Sequence, residues 1–394
     1  MNLELSDEQR ILKENVDRLL SEYNLADVPL SKRNWTWRRE LWDQFAEMGL
    51  LGLPFDTEFG GIGGSPFETM LVMESMGRNL AVEPFLSTVL VSGGLVAHSE
   101  DRPLKDRLLP RIAEGKLMVS FAHAEPFARY DLSSVETIAQ KTSAGWRLTG
   151  SKRFVFHGQD AQKWLVSARI ENVQGDIGIF LVDPAESGIK TKKYTSQDDR
   201  AAIDIRFDGV DAEARLDCRG CALPLIERVA DDAAAALCAD AVGAMSAAHE
   251  ITVNYLKTRQ QFGVAIGTFQ ALQHRAVEML IAIEQARSMA IFAAYSVQQR
   301  DPKIRSNGVS AAKAIVNKSA RFVGQQSVQL HGGIGMTEDY CIGRYFKRLT
   351  LFEFLGGDSD YHLGRLADAG GLNESSREEA ELFADDLRLL SLPG

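Results

Sequence analysis

The fold is decided by residues 226–258, which read IERVADDAAAALCADAVGAMSAAHEITVNYLKT. This stretch is rich in alanine and contains no proline, and alanine has the highest intrinsic helix propensity. It therefore predicts one helix much longer than the usual three turns. Residues 269–299 and 308–330 have a similar character. Long helices that follow one another through short connections predict an antiparallel bundle in this part of the chain.

The chain before this stretch changes its pattern at about residue 119. Short β-type runs occupy residues 146–149, 153–156, 164–167 and 177–182, with Gly, Asp and Asn between them. Residues 202–207 alternate between apolar and polar side chains, which indicates a half-buried strand. This spacing is typical of an all-β sandwich or barrel, whereas residues 5–118 have a mainly helical pattern.

The predicted fold class is therefore mostly α with a central β-barrel domain. The expected order is an N-terminal helical domain at residues 1–118, a β-barrel at 119–222, a helical bundle at 223–368 and an acidic tail at 369–394. The tail is expected to be either a short terminal helix or disordered.

Composition excludes several classes of protein. The chain has 394 residues, of which 45% are hydrophobic and 25% charged, as in ordinary globular proteins. Its net charge of −10 argues against general nucleic-acid binding, which requires a basic surface. Residues 84–99 form an uncharged stretch that is too short for a membrane span, and the N-terminus MNLELSDEQR is not a secretory signal. These features predict a cytoplasmic protein.

The cysteines predict neither a metal site nor a redox role. Cys218 and Cys221 form a CxxC pair, but a metal site would need a second such pair and a redox site a βαβ setting. Cys238 and Cys341 lie far from this pair in the sequence.

Two stretches carry residues suited to a ligand with a phosphate and a flat ring. Arg259 follows the long helix, Phe262 and a glycine come next, and Gln270 begins the following helix. A guanidinium donates several hydrogen bonds to phosphate, and an aromatic ring stacks on a flat heterocycle. A helix-terminal arginine that satisfies backbone carbonyls explains the same pattern. Residues 329–335, QLHGGIG, likewise either end a helix or admit a ligand close to the backbone.

Six motifs in one order resemble the acyl-CoA dehydrogenase family over about residues 1–368. They are GLLGLPFDTEFGGIGG at 49–64, AHAEP at 122–126, GSKRFVFHG at 150–158, YLKTRQQFG at 255–263, FQALQHR at 269–275 and QLHGGIGMTEDY at 329–340. Residues 225–245, 321–336 and 345–363 look more closely like the small subunit of the pimeloyl-CoA dehydrogenase type.

The resemblance implies a helical domain, a β-barrel and a C-terminal four-helix bundle in a tetramer that binds FAD noncovalently. It implies an acyl-CoA substrate and an electron-transfer flavoprotein or similar acceptor. It also implies α,β-oxidation of the CoA thioester, in which a carboxylate base removes the α-proton and flavin N5 accepts hydride from the β-carbon.

The resemblance also assigns residues to FAD. In the family, an RxxFG motif, a downstream glutamine and a QxxGG motif reach the FAD of a neighbouring subunit. At these motif positions the present sequence has Arg259, Phe262, Gln270, Gln329, Gly332 and Gly333.

The side of the site that faces the flavin ring departs from the family pattern. Ala124 replaces a threonine that the family usually has ahead of Glu-Pro. Phe127, Arg129 and Tyr130 replace the glycines and serine that usually follow. Phe156 replaces the threonine that approaches flavin N5 in the family.

Neither position at which the family places its base holds a carboxylate. The usual glutamate position falls on Gly356, and the alternative position, on the helix before Arg259, falls near Ala233. The carboxylates nearby in sequence are Asp231, Asp232, Glu353 and Asp358. Asp358 is interpreted as a turn residue or a contact to FAD rather than as the base, and no catalytic residue is assigned.

Three hypotheses are compatible with this pattern. In the first, the chain is an enzyme subunit that pairs with a larger homologue carrying the base and oxidises a CoA thioester such as a dicarboxylyl or ring-derived one. In the second, it is a self-sufficient homo-oligomeric dehydrogenase with Asp358 as a displaced base. In the third, it is a structural subunit without flavin.

Overall fold

The N-terminal part of the chain is helical, as the sequence predicts. The computed structural model describes residues 5–24, 37–173, 175–216 and 220–370. Ser6 and Ser65 begin two of the helices through capping boxes, in which each serine and the third helical residue satisfy each other's backbone N–H. The helices are α1 (Asp7–Glu22), α2 (Arg39–Glu47), α3 (Pro66–Arg78), α4 (Gly94–His98) and α5 (Arg102–Ala113), with a π-helical segment, Phe85–Gly93, leading into α4.

The middle of the chain forms one eight-stranded sheet. Strand β5 has no exposed position and is therefore buried on both faces, whereas the central strands β2 and β3 keep exposed positions. The strands are β1 (Val119–Ala122), β2 (Ile138–Thr142), β3 (Gly145–Phe156), β4 (Lys163–Ile170), β5 (Ile177–Val182), β6 (Ile189–Thr195), β7 (Ala201–Ala212) and β8 (Ala214–Arg215).

The predicted closed barrel is wrong, because the sheet is open. The strand order is β6-β7-β3-β2-β4-β5-β8, and β1 pairs with β4 beside this path. Closure would require β6 to pair with β8, but β8 is only two residues long. The edge strand β6 carries Lys190, Lys192 and Lys193 at exposed positions. Exposed lysines on an edge strand oppose pairing with a further strand.

The C-terminal part is helical, and the long helix predicted for residues 226–258 extends over Leu223–Thr258. Residues from 371 onward, which include most of the predicted tail, and Cys218 lie outside the described residues. The elements are α6 (Leu223–Thr258), the hairpin β9 (Gln260–Gln261) and β10 (Val264–Ala265), α7 (Gln270–Ser296), α8 (Pro302–His331), α9 (Ile342–Phe354) and α10 (Ser359–Asp368).

Helices α3 and α6 cross with their backbones in contact. A Cβ atom added at Gly77 would collide with the carbonyl oxygen of Asp240, and one added at Gly243 would collide with that of Glu74. Each helix thus contributes a glycine at the point where the other approaches. The crossing joins the N-terminal helices to the C-terminal ones and fixes which face of α6 is turned toward the rest of the molecule.

Two further properties concern only the residues that the structure describes. None of their helices combines the length and the apolar character needed to cross a lipid bilayer. No group of three or more His, Cys, Asp or Glu side chains among them is arranged to hold a metal ion.

We expect Gly243→Ala to lower the free energy of unfolding by about 1–3 kcal/mol, because the added methyl group forces the two helices apart. Urea denaturation measures the effect. Gly364→Ala on α10 is the matched control, because no atom lies within 4 Å of an added Cβ there. The control should be neutral or stabilising by about 0.5–1 kcal/mol, as expected for glycine replaced by alanine in a helix. Equal stability of the two variants would contradict a tight crossing.

Candidate cofactor and active site

An open cleft of about 590 Å³ lies where α6 and α8 end. Arg259 terminates α6, and its backbone N–H donates to the carbonyl of Tyr255. Gln329, Gly332 and Gly333 line the same cleft from the end of α8. The structure therefore brings together four of the six residues that the sequence assigns to FAD.

The two glycines leave space beside the backbone. Gly332 has a φ of 61°, a backbone conformation that residues other than glycine rarely adopt. A Cβ atom added at Gly332 or Gly333 would meet no atom within 4 Å. His331 donates from Nδ1 to the carbonyl of Ser327, at 2.7 Å. Its buried Nε2 has no partner among the described residues. A cleft with a guanidinium and open glycine backbone fits the phosphate-bearing part of a cofactor.

The other two assigned residues lie outside the lining of this cleft. Phe262 occupies the turn between β9 and β10, where its side chain is 91% exposed, and contacts Phe269 edge to face. Gln270 is the first residue of α7 and is also exposed. An exposed aromatic ring at the tip of a hairpin is available to a second chain rather than to this chain's own cleft.

Tyr255 and Arg275 also line the cleft, and the sequence analysis did not assign either of them to the site. The ring of Tyr255 packs on that of His331 with centroids 4.5 Å apart. Arg275 adds a second guanidinium from the first turns of α7. The sequence did contain a signal for Arg275. It belongs to the FQALQHR motif and follows Leu272 by three positions, so the two side chains lie on one face of the helix.

The second part of the site is the turn between α9 and α10. Gly356 and Gly357 have φ angles of 69° and 112°. A Cβ atom at Gly356 would face Ala234 and Leu237 on α6, each at 3.7 Å or slightly more. Gly356, to which the resemblance assigns the family's glutamate position, therefore faces α6. Ala233, the alternative position, is half-buried on α6 and has no ionisable group.

Buried donors hold this turn in place. Lys313 of α8 donates to the carbonyl oxygens of Phe352 and Gly357, at 3.0 and 3.2 Å, and burial lowers the pKa of its ammonium to about 7. His362 donates from Nε2 to the carbonyl of Gly356, at 2.9 Å, and its Nδ1 lies 3.2 Å from the Ser310 hydroxyl. Burial lowers the pKa of His362 to about 3, so the ring is neutral near pH 7.

Each of the four nearby carboxylates has a structural partner. Asp231 pairs with Arg305 at 3.0 Å and with Arg365 at 3.2 Å. Asp232 pairs with Arg228 at 3.1 Å, and Glu353 pairs with Arg321. Asp231, Asp232 and Glu353 are therefore each engaged in at least one ion pair.

Asp358 caps α10. Its carboxylate accepts a hydrogen bond from the backbone N–H of Tyr361, at 2.8 Å. Burial and the neighbouring Asp358 carboxylate raise the pKa of Tyr130 to about 12. The N-cap contact explains the presence of an aspartate here, because Asp is among the residues preferred at helix N-termini.

Aromatic rings occupy the space beside β3. The resemblance assigns Phe156 to the position of the family's threonine. The centroid of its ring lies 4.7 Å from that of Phe154 and 5.6 Å from Cζ of Arg200. A small cavity of about 110 Å³ adjoins these rings. Phe154 has a φ of 54°, which is strained for a bulky residue. A bulky apolar side chain therefore stands where the family has a hydrogen-bond donor.

Buried charges line the far side of this cavity. Arg348 pairs with Asp240 at 3.0 Å and with Asp198 at 3.1 Å, and Asp198 also pairs with Arg200 at 2.9 Å. None of the four side chains is more than 7% exposed. His157, next to them, lies 2.9 Å from the Ser87 hydroxyl, and burial lowers its pKa to about 4. The cavity is therefore apolar on one side and charged on the other.

Comparison with known families identifies the class of protein. The chain matches the N-terminal domain of acyl-CoA dehydrogenases over residues 6–116, the middle domain over 120–210 and the C-terminal domain over 223–371. The chain belongs to the acyl-CoA dehydrogenase family, FAD-dependent oxidoreductases that act on CH–CH bonds.

Individual relatives agree with this placement. The chain is 27% identical over 373 residues to acryloyl-CoA reductase (NADH) of Anaerotignum propionicum, covering 92% of this chain and 94% of that protein. It superposes on a variant of the Tcur3481-Tcur3483 steroid ACAD with a TM-score of 0.82 and 27% identity, covering 92% and 97% of the two chains. The ChsE4-ChsE5 complex from Mycobacterium tuberculosis, at 21% identity, a TM-score of 0.81 and coverage of 93% and 98%, shares the fold.

We expect acid to destabilise the protein partly through His362. The pKa of His362 is lowered on folding, so the unfolded chain binds more protons between about pH 6.5 and 3, and stability falls as the pH drops below 6.5. Between pH 7 and pH 5 this group should account for a loss of about 2 kcal/mol in the free energy of unfolding.

His362→Gln tests this expectation, because glutamine can still donate to the Gly356 carbonyl but does not titrate. Urea denaturation at pH 7 and pH 5 should show a smaller acid loss for this variant than for the wild type. His274→Gln, on an exposed position of α7, is the matched control and should keep the full loss. An unchanged acid loss in His362→Gln would mean that His362 is not held neutral.

Proposed function

We propose that this chain is one subunit of a heteromeric FAD-dependent acyl-CoA dehydrogenase whose larger partner carries the catalytic base. The observation that carries the proposal is that Gly356 has no side chain and that the four carboxylates nearest in sequence to the two base positions are each held by a structural partner. Gly356 itself offers no acid–base group toward α6, and Asp231, Asp232, Glu353 and Asp358 are each held by a structural partner. Removal of the α-proton of a thioester requires a carboxylate within hydrogen-bond reach of that carbon.

In this proposal, residues of the chain contribute to the FAD site of the partner subunit. Arg259 and Arg275 supply guanidinium groups for the pyrophosphate, and Gly332 and Gly333 allow close backbone approach. Phe262 presents an exposed ring, Gln270 an exposed amide at the start of α7, and Gln329 an amide in the wall of the cleft. When bound, FAD supplies the hydride acceptor for the β-carbon of the acyl group.

The closer assignment to the small-subunit type rests on the resemblance of residues 225–245, 321–336 and 345–363, and the departures described above support it. Phe156 and Gly356 replace two different family groups at one inner site, and two independent losses at one site favour a subunit whose catalysis occurs elsewhere. ChsE4-ChsE5 is a fold neighbour that forms a complex of two such chains. The proposal includes a heterotetramer, a cytoplasmic location and an electron-transfer flavoprotein or similar acceptor.

The purified chain alone should have little or no acyl-CoA dehydrogenase activity. The assay uses a panel of acyl-CoAs with an artificial electron acceptor, on the chain alone and on the chain co-expressed with acyl-CoA dehydrogenase homologues encoded beside it. Activity and bound FAD should appear only in the co-expressed complex. If the partner without this chain holds as much FAD as the co-expressed complex does, the result would instead favour the purely structural subunit.

Asp358→Asn tests the remaining alternative to the heteromeric enzyme, which is a self-sufficient enzyme with a displaced base. Asparagine caps a helix about as well as aspartate but cannot accept a proton from carbon. The substitution should leave the thermal stability and the activity of the complex nearly unchanged. Turnover by the chain alone that disappears in Asp358→Asn, with FAD still bound, would establish Asp358 as the base and contradict the proposal.

Arg259→Ala should weaken FAD retention in the assembled complex by roughly tenfold to hundredfold, because a hydrogen-bonded contact to a charged phosphate is lost. Equilibrium dialysis followed by flavin absorbance measures the effect. Arg300→Ala, an exposed position between α7 and α8, is the control and should retain wild-type affinity. Unchanged affinity in Arg259→Ala would place the pyrophosphate elsewhere.

A further inference from the structure

A second cavity, of about 350 Å³, lies between the N-terminal helices and the C-terminal bundle. It shares no lining residue with the cavity beside Phe156 or with the cleft at Arg259. Its walls come from the start of α3, the π-helical segment, α4, the first half of α6 and the end of α7. Nothing in the proposed acyl-CoA chemistry uses it.

The body of this cavity is apolar. Phe55, Met70, Val89, Leu90 and Val297 line it, and all of them are buried in the chain. The space exists because the facing positions carry very short side chains. These are Gly64, Gly94, Ala97, Ala235, Ala236 and Ala294. The energetic cost of an apolar cavity rises with its volume, and large apolar cavities bind apolar molecules.

One end of the cavity is charged. Arg228 donates from Nε to Asp232 at 3.1 Å, and Nε2 of His98 lies 3.4 Å from the same carboxylate. The two Nη groups of Arg228 have no other partner within the described part of the chain. The side chain of Arg228 is 25% exposed, so its charge is partly removed from water. A guanidinium with one edge free is suited to a carboxylate.

We propose that this cavity binds a small carboxylic acid with an apolar body, its carboxylate on Arg228 and its chain between α4 and α6. The geometry favours an acid over an alcohol or a hydrocarbon, because Asp232 occupies only the Nε side of the guanidinium and leaves the Nη edge for a second anion. The apolar walls fix the nature of the rest of the molecule. Such a pocket, mostly apolar with a few convergent polar groups, is the usual form of a small-molecule site.

The test uses sodium octanoate and 1-octanol as probes, which share a chain length and differ in the head group. Isothermal titration calorimetry is performed on the full chain and, where it forms, on the assembled complex. The wild type should bind octanoate more tightly than 1-octanol. Arg228→Gln should weaken octanoate binding by roughly tenfold to hundredfold and change 1-octanol binding by less than about twofold.

Ala97 is half-buried on α4 and lines the cavity, so Ala97→Leu should fill part of it. The substitution should weaken the binding of both probes by at least about tenfold. Arg300→Gln, on an exposed loop, is the matched charge control and should change neither. Phe156→Leu alters only the separate inner cavity and should also leave octanoate binding unchanged.

Four results would overturn the proposal. The first is no measurable binding of octanoate to the wild type. The second is equal weakening of both probes by Arg228→Gln, which would remove the assigned role of the guanidinium. The third is octanoate binding that is insensitive to Ala97→Leu. The fourth is loss of octanoate binding in Phe156→Leu, which would place the acid in the acyl-CoA site.

Discussion

The structure depends on the contact between the backbones of α3 and α6. Glycine at positions 77 and 243 lets each helix reach the carbonyl oxygens of the other, and no side chain can separate them. This contact sets the rotation of α6 about its axis. One face then meets the turn at Gly356 through Ala234 and Leu237, and an adjacent face lines the second cavity through Ala235 and Ala236. The C-terminal end of the same helix delivers Arg259 to the open cleft.

A buried network of charges completes the connection between the three parts of the chain. Asp198 and Arg200 come from the segment just before the strand β7, Asp240 from α6 and Arg348 from α9. Arg348 also donates to the carbonyl of Ala81, between α3 and the π-helical segment. Removing one partner from such a buried set typically costs about 3–5 kcal/mol, because the remaining charge is left without compensation. The network therefore makes the relative position of sheet and helices specific, and it does so directly beneath Phe156.

The site has two parts, the cleft at Arg259 and the region around Gly356 and Phe156. The cleft keeps open glycine backbone, and the exposed ring of Phe262 lies outside its lining. His362 and Lys313 hold the turn at Gly356, and the rings of Phe154 and Phe156 pack against each other beside β3. In the second part, carboxylates serve as caps and ion-pair partners, so the groups that could do acid–base chemistry stabilise the fold instead.

The sequence by itself determined the order of helix, strand and helix, the length of α6 and the family, because helix propensity, alternation and motif order are local properties of the chain. It also identified Arg259, Gln329, Gly332 and Gly333, which the fold brings to one cleft. Only the tertiary structure decided that the sheet is open, that Phe262 is exposed outside the lining of the cleft and that Asp231, Asp232, Glu353 and Asp358 each have a structural partner. These features depend on partners far apart in the chain, such as Asp231 and Arg305, which are separated by 74 positions. No local pattern records such a pairing, since it arises only when packing brings the two helices side by side.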